Sequence, residues 1–375
     1  MKIQFDKNPE QVELIKALAS DNKSVALEAQ EAFAAFISTV VQQVLLQAGT
    51  SSMIYRDIEF NEDDSPSIPL DLYYGQGEGA ISVWSQTVGG GLPTNFVQGL
   101  QEMKVNTYRL DSAIAMDKRY VRKARLDVVA AGLERMANEI LVKQERNAWA
   151  VILKVLADAS TDGTKHAFRA GSAGTYQLDD MNNLWTLVRR LNSAYTGGTP
   201  QALESRGLTD IFVSPEVKAQ IRGFAYQPMN TRSGAVNGTS GASSLALPDD
   251  VRSEIYRGAG TSEIFGVTVH EMNELGTDRK YNTLFDTFAG STEWNTYGVA
   301  GGTAFDTTND ELVIGIDSSR NAFLRPVATD SVSGGQIKVL PDDQFLARSA
   351  KVGFYSFLEE GRVATDSRAV CGLIV

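Results

Sequence analysis

The sequence predicts an α+β protein of two or three domains, and three observations predict it. Apolar residues recur at period 2 in Ala80–Val88, which reads as a strand with one covered face, and at period 3.6 after Asp117, which reads as a long helix. From residue 175 to about 330 short strands and helices alternate, and the tail from Phe345 to Val375 is strand-like. The chain has 375 residues, 43% apolar and 22% charged, which gives the domain count at about 150 residues per domain. That composition is ordinary for a globular protein and excludes disordered, collagen-like and mucin-like chains.

The first 23 residues are mixed and polar and read as a loosely held arm. Ser24 is a plausible N-cap for an amphipathic helix that runs to about Gln47 and stops at Gly49. Its apolar stripe is Ala29, Phe33, Phe36 or Ile37, Val40 and Val44, with Gln30, Glu31, Ser38 and Gln42 opposite. Two readings stay open for it: a core-facing helix, or an arm that packs on a neighbouring subunit. A short strand follows at Met53–Ile58. The segment Asn61–Met103 then has no Lys or Arg, six acidic residues, three prolines and two glycine clusters. With a second extended stretch through Phe96, Val97, Val105, Tyr108 and Leu110, it reads as a long hairpin-like loop. Loops of such length are usually functional or disordered, and the Trp, Tyr and β-branched content argues against disorder.

After Asp117, residues such as Val121, Val128, Leu133, Met136, Ile140, Ala148, Ile152 and Val155 share one broad face. No proline falls between Pro93 and Pro200, so only Gly132 offers a bend. A continuous helix of roughly 40 residues spans ~60 Å, against a diameter of ~55 Å for a compact globule of this size. An unbroken helix would therefore require an elongated or flat molecule. Further on, a helix fits Asp179–Tyr195, a strand Asp210–Val213 and a helix from Ser214 with Pro215 at its first position. A loop rich in Gly, Ser and Asn runs from Gln227 to Ser244, and strands fit Ile264–Glu271, Glu311–Ile316, Lys351–Leu358 and Arg362–Val370.

Little in the chain points to catalysis. With 35 basic against 46 acidic residues the formal charge is −11, so the protein as a whole repels nucleic acid. There are two histidines, His166 and His270. His270-Glu271-Met272-Asn273-Glu274 resembles a zincin motif with its second His replaced, but the preceding Phe265–Val269 reads as a strand, whereas a zincin needs both ligands on one helical face. A metal-dependent hydrolase centred on His270 is thus the alternative from a different class. Walker, dinucleotide-fingerprint and nucleophile-elbow patterns are absent. Cys371 is the one cysteine, which fits a reducing compartment. No apolar run approaches a transmembrane span and no leader is visible, so a soluble cytoplasmic product is expected. Neither a cofactor nor a metal is expected. One charge feature stands out: Lys118, Arg119, Arg122, Lys123 and Arg125 crowd the start of the long helix, where the macrodipole disfavours cations. It is either a solvated face or a dock for an acidic partner, and the cation-free segment of another copy is a candidate.

The order of these elements resembles the major capsid protein of tailed bacteriophages with the Hong Kong 97-type fold. The resemblance assigns 1–50 to an N-terminal arm, 51–60 to a peripheral-domain strand and 61–105 to the extended loop (E-loop). It assigns 106–174 to the peripheral domain with its spine helix at about 117–158, 175–335 to the axial domain and 336–375 to closing peripheral strands. Phe212–Val217, Arg348–Tyr355 and Arg362–Val370 carry the likeness in the later part. It implies a non-enzymatic shell subunit forming hexamers and pentamers around double-stranded DNA, assembled in a host bacterial cytoplasm and located in the virion capsid. Scaffolding, portal and decoration proteins are the implied partners, and no membrane. Encapsulin nanocompartments share the fold and are the near alternative. Between Asn61 and Met103 the E-loop has no lysine, so the isopeptide cross-link of some members does not carry over. In this fold the E-loop crosses a neighbour's peripheral domain. Glu62, Asp63, Asp64 and Asp71 on one copy are therefore expected to meet Lys118, Arg119, Arg122, Lys123 and Arg125 on the next, and Trp84 is expected at an inter-subunit contact.

Overall fold

The computed structural model describes residues 9–20, 22–47, 49–61, 65–69, 102–123, 126–158, 165–195, 207–223, 262–264, 266–329, 336–342 and 351–375. They mix helix and strand, an α+β protein, and divide into two compact units. The first holds the described residues of 1–70, 101–148 and 323–363, and the second those of 149–322 and 364–375. None of the described helices is long and apolar enough to cross a membrane.

The first unit is a sheet with helices on one face. Strands β1 (Arg56–Asn61), β4 (Tyr108–Asp117), β12 (Phe323–Thr329), β13 (Lys338–Asp342), β14 (Lys351–Glu360) and the short β15 (Val363–Ala364), paired with β12, form it. β1 pairs with β12 in parallel, and β4 pairs with β14 antiparallel over ten residues, from Asp117 opposite Lys351 to Tyr108 opposite Glu360. The β4 sequence alternates, so Leu110 and Ile114 point inward while Arg109, Asp111, Ala113 and Ala115 point out. The inner face packs on three helices: α1 (Pro9–Leu18), α2 (Lys23–Gln47) and the first part of α4 (Leu126–Asp158). Ile15, Leu18, Phe33, Ile37, Leu133, Met136, Ile140, Val352, Phe354 and Leu358 form that core. A small two-stranded ladder, β2 (Ser67–Pro69) with β3 (Glu102–Lys104), closes the base of the intervening segment.

In the second unit the sheet order is β5 (Ala167–Arg169), β16 (Val370–Ile374), β11 (Leu312–Ile316), β6 (Asp210–Val213), β8 (Val267–Glu271) and β7 (Ser262–Ile264). Helices cover both faces. On one, Leu184, Leu187 and Leu191 of α5 (Leu178–Tyr195) and Val217 and Ile221 of α6 (Pro215–Gly223) meet Ile211, Val213, Val313, Cys371 and Leu373. On the other, Trp149 of α4 packs edge-on against Phe212 at 4.9 Å between ring centres and lies 5.9 Å from Tyr281 of α7 (Lys280–Ala289).

Several expectations change. The leading arm contains the helix α1, whose Ile15 and Leu18 are buried in the first core. The following helix therefore faces the core of its own unit, which settles the two readings left open. Gln30, expected on the polar side, is fully buried, because Ala26 and Ala34 lie one turn away on either side and the buried arc is wider than the apolar stripe. Strand β1 starts at Arg56, later than expected, since Ser51–Met53 wind into a 3-10 turn. The long helix does not start near residue 117. Asp117 is the last residue of β4, caps the separate five-residue helix α3 (Lys118–Arg122), and α4 begins at Leu126. The 33 residues of α4 span about 50 Å, so helix length no longer requires an elongated molecule. The tail divides: Lys351–Glu360 joins the first sheet, whereas Val370–Ile374, not Arg362–Val370, forms the last strand and pairs with β5 and β11 in the second. The expected strand Ala80–Val88 and the loop Gln227–Ser244 lie outside the described residues.

Candidate functional site

The basic turn sits at the edge of the first sheet. β4 ends in Asp117, whose carboxylate accepts from the Arg119 backbone N–H at 2.9 Å and so caps α3. Val121 is buried and anchors the turn, while Arg119, Tyr120, Arg122 and Lys123 are exposed and Lys118 is half-buried. The Arg122 Nε also reaches the Ala19 carbonyl, just beyond α1, at 3.5 Å. Lys351 stands opposite Asp117 in the ladder, adding a cation to the same corner. Four of the five predicted cations are thus together on one short turn. Arg125, the acidic residues expected to meet them, Glu62, Asp63, Asp64 and Asp71, and the expected contact residue Trp84 lie outside the described residues.

Sequence reading missed what adjoins this corner. On the outer face of β4, β14 and β13, Arg109 lies over the rings of Phe357 and Tyr355, its guanidinium carbon 3.9 Å and 5.7 Å from their centres. The same guanidinium donates to the Tyr355 hydroxyl and, at 2.7 Å, to Asp111. Lys338 approaches Phe357 at 5.7 Å, and Leu340 is 43% exposed. Small residues, Ala113, Ala115 and Gly353, separate these groups. The result is an open sheet face with an aromatic and cationic centre. Its signal was present in the sequence as alternation in Tyr108–Asp117, where every second residue is polar or small.

Behind that face is a buried charge cluster. Glu360 is fully buried and accepts from Arg325 at 2.7 Å, Tyr108 at 2.7 Å, Gln144 at 3.0 Å and Arg362 at 3.3 Å. Burial alone would push its carboxyl up, but Arg362 and Arg325, with the Tyr108 hydroxyl, outweigh that and hold it below the ordinary glutamate range. Burial, then Glu360, pushes the Tyr108 phenol up to about 12. Arg362 also stacks 4.7 Å over Tyr55, whose hydroxyl donates to the Ala148 carbonyl. Thr107 donates to Glu359 at 2.6 Å, so the cluster fixes where the chain enters β4 after β3.

His270 belongs to the second unit. It lies on β8, with its Nε2 3.0 Å from Asp210 Oδ1 and its ring stacked on Phe212 at 4.9 Å. Glu274 falls in the turn after the strand, so the two residues do not share the helical face a zincin requires. Among the described residues no group of three or more His, Cys, Asp or Glu side chains is placed to hold a metal ion.

No protein-family model matches the chain, and no curated protein matches it in sequence. In fold it is similar to solved capsid structures. The capsid asymmetric unit of cyanophage Pam1 matches with a TM-score of 0.49 at 13% identity, over 86% of this chain and 88% of that one. The capsid of an empty GTA particle matches with a TM-score of 0.48 at 14% identity, over 87% and 90%. A virus-like particle from Pyrococcus furiosus matches with a TM-score of 0.41 at 12% identity, over 89% and 98%. Similarity at this level carries no functional weight by itself.

Proposed function

We propose that the chain is a shell-forming subunit, the major capsid protein of a tailed phage with the Hong Kong 97-type fold. The observation that carries this reading is the one-sided first sheet. Its inner face is sealed by α1, α2 and α4, while its outer face presents the half-buried rings of Tyr355 and Phe357 beneath the exposed Arg109. The segment between β2 and β3, which includes Tyr73, Tyr74 and Trp84 and no cation, leaves the chain at the same unit. Aromatic surface of this kind is characteristic of protein interfaces, and neighbouring copies supply the simplest cover.

On this proposal the first unit is the peripheral domain and the second the axial domain. Copies associate as hexamers and pentamers around double-stranded DNA, with the acidic residues Glu62, Asp63, Asp64 and Asp71 of one copy facing Lys118, Arg119, Arg122 and Lys123 of the next. Each exposed pair contributes only about 0–1 kcal/mol, but a shell repeats the contact on every subunit. Scaffolding, portal and decoration proteins would be the partners, and assembly would take place in a bacterial host. Electron microscopy of the purified protein, with a scaffolding protein where one is needed, should show shells, sheets or tubes. A strictly monomeric protein at tens of micromolar under both conditions would overturn the proposal.

A further inference from the structure

Gln30 of α2 is completely buried, and among the described residues neither its amide oxygen nor its amide nitrogen has a hydrogen-bond partner. It occupies the middle of the helix's buried face, with Ala26 and Ala34 one turn to either side and Phe33 and Ile37 beside them. An apolar side chain is the rule at such a position. A buried amide without partners weakens the packed arrangement by roughly tenfold in equilibrium constant.

The rest of the seat is apolar: Ile15, Leu18, Phe33 and Ile37 fill it, with Ala19, Ala29 and Ala34 between them. Ser38 donates to the Ile337 carbonyl at 2.9 Å, next to the edge strand β13, and the Arg122–Ala19 contact is at the long limit of a hydrogen bond. The C-terminal end of the pair is held differently. The Glu145 carboxylate of α4 accepts from the Thr50 hydroxyl at 2.9 Å, the Ser51 hydroxyl at 2.7 Å and the Ser51 N–H at 3.2 Å. Gly49, at φ 130°, makes this approach possible, because a Cβ there would lie 2.3 Å from Glu145 Oε1.

We infer that α1 and α2 form a strap pinned at Gly49 and Glu145, which lifts from the folded first sheet and reseats on it, with Gln30 as the built-in weak point of the seat. Lifting returns the amide to water and uncovers the apolar patch around Val339, Val352 and Phe354. The strap is a property of the single subunit and does not depend on shell formation.

Hydrogen exchange of the full-length protein, followed by mass spectrometry, tests this directly. Peptides within 9–47 should exchange faster than those covering β4 and β14. Gln30→Met, close in shape but without the amide, should slow exchange in 9–47 about tenfold and leave β4 and β14 unchanged. Gln30→Leu should act in the same direction. Equal exchange of the two regions in the parent protein would overturn the inference. So would unchanged or faster exchange in both variants, or their failure to fold. Any of these would mean that the amide is satisfied in solution and supports the seat.

Discussion

In the second sheet every residue of Leu312–Ile316 and Val370–Ile374 is buried, whereas in the first sheet Tyr108–Asp117 alternates between half-buried and exposed. Two covered faces demand continuous apolar strands; one covered face leaves every second position free to be polar or small. The second unit spends its apolar strand residues on its own core. The first keeps one face uncovered by its own helices, and that face carries Tyr355, Phe357 and Arg109.

The harshest way to break this contrast is Trp149→Ala. The indole is fully buried against Phe212 and Tyr281, and its loss should cost about 3–5 kcal/mol, read as a lower midpoint of chemical unfolding. A loss below ~1 kcal/mol would mean that this face of the second sheet is not sealed as described.

Glu360→Gln should come next, at about 3 kcal/mol, because two arginines are left beside a neutral amide in a buried site. The carboxyl is held below its unfolded value of ~4.3, so its stabilisation is complete above that pH and is lost as pH falls through the lower folded value. The parent protein should therefore lose thermal stability below about pH 4 more steeply than the variant. Parallel pH profiles would show that Glu360 does not contribute in its charged form.

Smallest in its effect on folding is the pair Arg122→Glu with Lys123→Glu. Both side chains are exposed, so unfolding should shift by no more than ~0.5 kcal/mol, while assembly measured by light scattering is impaired. Adding Asp63→Lys and Asp64→Lys to the same chain should restore it in part. Normal assembly of the first double variant would assign these cations to solvated surface.

Much of the fold was legible locally. Asp210–Val213 and the helix opened by Pro215 appear as read, and Leu178–Tyr195 starts within one residue of its expected start. Reading failed where local pattern and distant packing compete. Positions 118–125 keep a helical periodicity, yet the helix capped by Asp117 ends at Arg122 and α4 begins at Leu126. The basic corner was visible as charge. The aromatic face beside it was not, because Tyr355 and Arg109 are far apart in sequence and meet only through the β4–β14 register.

By itself, then, the amino-acid order determined the α+β class, the 3.6-residue rhythm of α4 and the clustering of cations after Asp117. Those are properties of neighbours along the chain, and hydrophobic period and capping chemistry report them directly. Only the tertiary structure decided that Val370–Ile374 joins the second sheet, that Glu360 is enclosed by Arg325 and Arg362, and that Gln30 is buried. Each of these depends on which distant segment arrives to pair or pack, and a strand's periodicity states that a face is covered without stating by what.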